Sequence, residues 1–126
     1  MISFDDFKTE DGSPIYQQII RHVKRGVIAG TVCDGDELPS RRMLSALLGV
    51  NPNTVQKAYR MLEAEGLVQS RAGSGSRIAL EAETAARIRA ELIDYEARRL
   101  AAAMRGMGLT LREAAAQLER VWEDTE

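Results

Sequence analysis

The chain has 126 residues, 44% of them hydrophobic but only 5% aromatic, with a formal net charge of −2. That length holds one small domain, or one domain with a short appendage, around a core of aliphatic side chains. No apolar run approaches the roughly eighteen residues of a membrane span, the N-terminus lacks the basic-then-apolar order of a signal peptide, and the lone Cys33 excludes an intramolecular disulfide, so a cytoplasmic protein without membrane contact is expected.

At the start, Ile2, Phe4 and Phe7 read as anchors of a short extended arm, followed by a loop at Glu10-Asp11-Gly12. Ser13-Pro14 predicts a helix start, with Ser13 as the cap and Pro14 at the first helical position, where a missing N–H costs nothing. Ile15, Ile19, Val23 and Val27 repeat every four residues, with Tyr16, Ile20 and Ile28 beside them, and Gly30 ends the helix. His22 has no second metal-ligand candidate at helical spacing and reads as a surface or packing residue. Residues 31–37 form a loop with a turn signal at Asp34-Gly35-Asp36. Cys33 is expected to pack as a small buried side chain. A redox sensor is the alternative, but no resolving cysteine or basic neighbour adjoins it in sequence.

Residues 38–80 predict a helix, a tight turn, a second helix and a glycine-tipped hairpin. Ser40 caps the first helix, Met43, Leu44, Leu47 and Leu48 form its apolar stripe, and Gly49 supplies the left-handed residue at its end, letting Val50 fold back onto the core. Asn51 caps the second helix with Pro52 at its first position. Val55, Ala58, Tyr59 and Leu62 fall on one face, while Asn53, Thr54, Gln56, Lys57 and Arg60 fall off it or at its edge. Gly66 ends this helix. Leu67, Val68 and Ser70 lead out as a strand with Arg71 at its end, Ala72-Gly73-Ser74-Gly75-Ser76 turns, and Arg77, Ile78 and Leu80 return. Two helices joined by so short a turn cross steeply, as in a helix-turn-helix. The expected fold class is mainly α (α+β): a winged helix-turn-helix over residues 1–80, followed by a short two-helix region at 81–126.

That last region is alanine-rich, free of proline and net −3. One helix is predicted from about Glu83 to Met104, with Ile88, Leu92, Tyr95 and Leu100 near one side and Ile93 and Met104 widening the stripe. Gly106 and Gly108 break it. Thr110-Leu111-Arg112-Glu113 is a capping box, and Leu111, Ala114, Ala115, Leu118, Val121 and Trp122 give the last helix an amphipathic pattern. Two short helices make a poor independent core. Their apolar faces must cover either the winged helix or the same helices of a second chain, and symmetric self-association is the common solution. Ile88, Leu92, Tyr95, Leu118, Val121 and Trp122 are the candidate dimerisation residues.

Charge singles out the middle of the chain. From Leu38 to Leu62 there are four basic residues, Arg41, Arg42, Lys57 and Arg60, and no acid, and residues 38–80 carry +4. A locally basic stretch on a mildly acidic chain is an electrostatic footprint of nucleic acid. The pattern Leu38-Pro39-Ser40, Arg42, Gly49-Val50 and Leu62-Glu63-Ala64-Glu65-Gly66-Leu67-Val68 resembles the N-terminal domain of GntR-type bacterial transcription regulators over residues 14–80. Asn51-Pro52-Asn53-Thr54-Val55-Gln56-Lys57-Ala58-Tyr59 is similar to their YtrA branch. The resemblance implies DNA contacts by Arg42, by the early residues of the second helix and by the wing, and subunit pairing by the C-terminal helices. Two positions depart from the pattern: Pro52 stands where many relatives have an arginine, and Ser74 where many have a basic residue between the wing glycines.

These observations point to a homodimeric repressor that binds double-stranded DNA at an inverted repeat. Amides, hydroxyls and cations are the groups that read base edges and hold phosphates, which makes Arg41, Arg42, Asn53, Thr54, Gln56, Lys57, Arg60, Arg71 and Arg77 the candidate DNA-binding residues. Gln56 is expected at an adenine edge, Lys57 and Arg42 at phosphate or guanine. A winged helix that binds protein is the alternative; it would expose apolar groups on the second helix, where Met61 and Ala64 qualify. An enzyme is not expected: the single histidine and cysteine lie in separate segments, and Gly73-Ser74-Gly75 precedes a strand, so a phosphate-cradling loop ahead of a helix is missing. No cofactor is expected, and a small-molecule effector is not readable from the sequence.

Overall fold

The computed structural model describes residues 1–9 and 12–125; Glu10 and Asp11, read above as loop residues, and Glu126 lie outside the described residues. The elements run α1 (Ile15–Ala29), α2 (Arg41–Leu48), α3 (Pro52–Ala64), β1 (Val68–Arg71), β2 (Gly75–Ile78), α4 (Ala82–Gly106) and α5 (Leu111–Trp122). This is a mostly helical winged helix-turn-helix with one small antiparallel hairpin. The described chain divides into two compact units, Met1–Leu92 and Ile93–Glu126, which meet inside α4.

In the first unit, α1, α2 and α3 pack around Ile19, Val23, Leu44, Val55 and Leu62, all fully buried. The N-terminal arm joins this core: Ile2 and Phe4 are buried, and the Ile2 N–H donates to the Glu37 carbonyl. His22 packs rather than ligates. Its ring stacks on Phe4 with centroids 4.4 Å apart, meets Phe7 edge-on, and bonds the Ser3 carbonyl through Nε2. α1 begins differently from the expectation. Pro14, not Ser13, occupies the N-cap position, and no side chain caps the helix. The Ser13 hydroxyl instead accepts from Arg21 and its carbonyl from the Gln18 amide, so both of its acceptors are already engaged one and two turns on.

Two expectations about packing are corrected. Met43 and Leu47 are exposed at 51% and 57%. α2 is rotated so that Leu44 and Ser45 face inward; the Ser45 hydroxyl satisfies itself by donating to the Val50 carbonyl, which permits a polar residue on the buried side. Cys33 is exposed too. Its neighbour Val32 takes the inward place against Gly26, whose Cα face it approaches so closely that a Cβ there would lie 2.4 Å from Val32 Cγ2.

The turn from α2 to α3 follows its local signals. Ser40 Oγ accepts from the Met43 N–H, Gly49 adopts φ +68°, where a side chain is disfavoured, and Asn51 Oδ1 accepts from the Asn53 N–H. The angle between the helices is tied by Tyr59, whose buried hydroxyl donates to the Pro39 carbonyl over 2.7 Å. In the wing, Val68 pairs with Ile78 and Arg71 with Gly75, with the turn at Ala72, Gly73 and Ser74. Leu80, expected in the second strand, lies beyond it; its N–H donates to Asp34 Oδ1. Glu37 adds a one-residue bridge to Arg77, so the loop before α2 borders the hairpin.

α4 starts one residue before the expected position and runs through Gly106 rather than stopping there. Ile88 is fully buried and Leu92 is 7% exposed, so these two candidate dimerisation residues are covered within the chain. Arg87 secures the same stretch by donating to the Glu65 carbonyl, while Glu65 also pairs with Lys24 over 2.8 Å. In the second unit the capping box is complete: Glu113 N–H donates to Thr110 Oγ1 and Thr110 N–H to Glu113 Oε1. The Thr110 N–H, with the Thr110 hydroxyl second, lowers the Glu113 carboxyl from its ordinary value. No described residue of α5 is buried.

Burial raises the Tyr59 phenol well above its ordinary value of 10.0. The neutral form is therefore favoured in the fold, and its contribution is complete below that value and declines as pH rises through the folded one. Tyr59→Phe should cost about 1–2 kcal/mol at neutral pH, because the Pro39 carbonyl loses its donor. Urea unfolding at a series of pH values should show the gap between wild type and variant narrowing above roughly pH 10.

Candidate nucleic-acid interface

α3 presents the candidate residues because its other face is committed. Val55, Ala58, Tyr59 and Leu62 are buried, which leaves Asn53, Lys57 and Arg60 exposed and Thr54 and Gln56 half-buried at the edges. Arg41 and Arg42 open α2 and are both exposed; Arg71 closes β1.

The structure gathers some of these groups and separates others. Arg41, Gln56, Arg60 and Arg71 line one groove of about 400 Å³ between α3 and the wing, together with the hydroxyl-bearing Ser40, Ser70 and Ser76 and one acid, Glu63. Arg41 donates to the Gln56 amide oxygen, so the atom expected to accept from adenine already has a partner. Among the described residues, Arg42, Arg60 and Arg71 have no intramolecular hydrogen bond or ion pair and are at liberty to meet an outside anion.

Lys57 lies elsewhere on the helix. Its ammonium sits 4.0 Å from the centroid of the Tyr16 ring, at the start of α1, where the ring's negative face attracts it. Arg77 pairs with Glu37 over 2.7 Å and lines a second groove with Asp34 and Gly35, which Arg71 also borders. Tyr16, Glu37 and the groove serines were not legible from sequence as parts of this surface. Tyr16 meets Lys57 and Glu37 meets Arg77 across a long stretch of chain, and short-range spacing carries no signal for such pairs.

Three packed helices, a capped second helix with a polar outer face and a two-stranded wing define the winged helix-turn-helix class of DNA-binding domain. The chain belongs to the gntR family of bacterial regulatory proteins, whose model matches residues 15–78. The HTH-type transcriptional repressor YtrA of Bacillus subtilis (strain 168) is 44% identical over 72 residues, 57% of this chain, and the chain spans about half of that repressor's length, 55%. The HTH-type transcriptional regulator Rv1152 of Mycobacterium tuberculosis is 35% identical over 113 residues, 90% of this chain and 89% of the regulator. Among solved structures, a GntR family transcriptional regulator from Listeria monocytogenes superimposes with a TM-score of 0.74 at 26% identity, covering 90% of this chain and 99% of that one. The AraR DNA-binding domain in complex with operator ORX1 has a TM-score of 0.51 at 26% identity, over 57% of this chain and 87% of that one. The chain is thus a GntR-family transcription regulator with that family's DNA-binding domain, and its relatives are regulators rather than enzymes. No helix among the described residues is long and apolar enough to cross a membrane.

The Lys57–Tyr16 contact predicts a spectroscopic signature. The terminal methylene protons of Lys57 should resonate upfield, within the shielding cone of the ring. Tyr16→Leu should return them to ordinary lysine positions, whereas Tyr16→Phe should leave them shifted; unshifted protons in the wild-type protein would dispose of the contact.

Proposed function

We propose that this protein is a homodimeric transcriptional repressor that binds an inverted-repeat operator in the cytoplasm. The observation that carries the reading is the groove lined by Arg41, Arg60 and Arg71, three cations against one acid, beside the exposed face of α3. Seating α3 in the major groove puts Asn53, Thr54, Gln56 and Lys57 near bases and phosphates, with Arg42 at the backbone and Arg71 and Arg77 on the wing side. At Arg77 a phosphate exchanges with the Glu37 carboxylate. The AraR domain bound to its operator supports the docking mode, and the repressor YtrA supports the sign of regulation.

Residues 1–80 form the reading domain in this proposal, and 81–126 the dimerisation region. With Ile88 and Leu92 covered within the chain, pairing falls to Tyr95, Leu118, Val121 and Trp122, joined by Leu111, which is 86% exposed. Trp122 is 65% exposed, an unusual placement for so large an apolar side chain unless another surface covers it. A small-molecule effector, if the protein takes one, would act through this region. Exposed Met43 and Leu47 favour a second reading, a winged helix that binds protein. Sequence-selective retention of duplex DNA separates the two.

Three measurements test the proposal. Selection from a random duplex pool should return an inverted repeat; a single asymmetric half-site argues against the dimer on DNA. In a salt series, Arg71→Ala should weaken all sequences alike and flatten the log–log slope by roughly 2, one phosphate per subunit at about 0.9 each. For the dimer itself, sedimentation of full-length Trp122→Glu should give a monomer where the parent gives twice the mass. A variant still dimeric at micromolar concentration would move the interface away from α5.

A further inference from the structure

We propose that Arg41 and Gln56 form one reading unit, in which Arg41 orients Gln56 as a donor-only probe that selects guanine; this deepens the DNA-binding reading above and rests on it. The two residues belong to different helices. Arg41 is the first residue of α2, and Gln56 lies on the second turn of α3. The Arg41 guanidinium donates to Gln56 Oε1, and both line the groove that also holds Arg60 and Arg71.

That bond decides which end of the amide faces outward. A free glutamine pairs with adenine by using both ends: Oε1 accepts from the adenine N6 amino group while Nε2 donates to N7. Here Oε1 is directed at a cation. A second donor would have to reach the same oxygen beside the guanidinium, with Arg60 and Arg71 adding positive charge to the groove. The ionised partner also draws electron density toward Oε1, which strengthens the Nε2 hydrogens as donors. The unit therefore presents N–H groups from Gln56 and from the remainder of the Arg41 fork, while its one acceptor is already engaged by a cation. In the major groove, guanine offers the matching edge, with acceptors at both N7 and O6, whereas adenine sets a donor beside its N7. Arg41 is the positioning residue of this pair and Gln56 the reader.

Random-pool duplex selection with the full-length chain tests the assignment, followed by titration of duplexes differing at one base pair per half-site. Gln56→Ala should erase preference at one position per half-site, which identifies the position. The wild-type protein should prefer guanine over adenine there by about tenfold, within the range of a good bidentate contact. Arg41→Ala frees Oε1 and should turn that preference toward adenine, while Arg41→Lys, which keeps a cationic donor, should retain guanine. Arg41 is exposed, so melting temperatures close to the parent's should accompany these changes. A purely structural or phosphate-holding Arg41 would lower affinity and leave base identity untouched, and that result overturns the proposal. So does a wild-type preference for adenine at the Gln56 position, or a Gln56→Ala variant with every preference intact. A wild-type protein that retains no sequence from the pool overturns the DNA-binding reading and this inference together; selective binding with an unmoved base overturns this inference alone.

Discussion

Burial of one face of α3 is the constraint on which the rest of the reading surface depends. Val55, Ala58, Tyr59 and Leu62 enter the core, the larger ones stabilising it by about 1.5–3 kcal/mol each. With 3.6 residues per turn, placing those four inside leaves no choice for Asn53, Gln56, Lys57 and Arg60, which must lie outside or at the margin. The Tyr59 hydroxyl then links the middle of α3 to the residue before the α2 cap. The buried face fixes where α3 points, and the phenol fixes where α2 starts relative to it. Arg41 reaches Gln56 only because both conditions hold.

Charge is distributed to leave that surface basic although the chain as a whole carries −2. The carboxylates nearest the domain's cations are engaged away from the α3 groove. Glu65 pairs with Lys24 and lies 3.7 Å from Arg87, at the end of α3, and Glu37 pairs with Arg77 on β2. An exposed pair such as Arg77–Glu37 stabilises by no more than about 1 kcal/mol. The larger effect of these pairs is on where free positive charge remains, namely at Arg42, Arg60 and Arg71.

Much of the fold was legible in the sequence because the signals were local. The caps at Ser40, Asn51 and Thr110 are hydrogen bonds within three residues, and the turns at Gly49 and Gly66 answer to steric rules of a single residue. The apolar face of α3 has an unambiguous helical period. Legibility failed where a side chain's fate depends on a distant partner. Met43 and Leu47 fit a stripe but are exposed, because α2 has eight residues and the serine at its fifth position finds the Val50 carbonyl. Ser13 was the obvious cap until Arg21, two turns away, claimed its hydroxyl. Cys33 was expected inside, but the close approach of Val32 to Gly26 gives the inward place to the valine and leaves the cysteine exposed. In the candidate interface, the residue types were readable one by one, whereas their grouping into an α3 groove, a Tyr16-held lysine and a Glu37-held arginine was not.

Gly26 sits inside a helix with ordinary right-handed geometry, where glycine is disfavoured against alanine by about 1 kcal/mol. A consensus-minded engineer would replace it to strengthen α1. The same alanine would press its methyl into Val32, which closes the core above the loop that carries Asp34 and Glu37. Those two residues hold the base of the hairpin. A thermostability substitution in the last turn of α1 would therefore be paid back as misplacement of the wing some distance away, making Gly26 a hidden liability for any programme that tunes this domain by helix propensity alone.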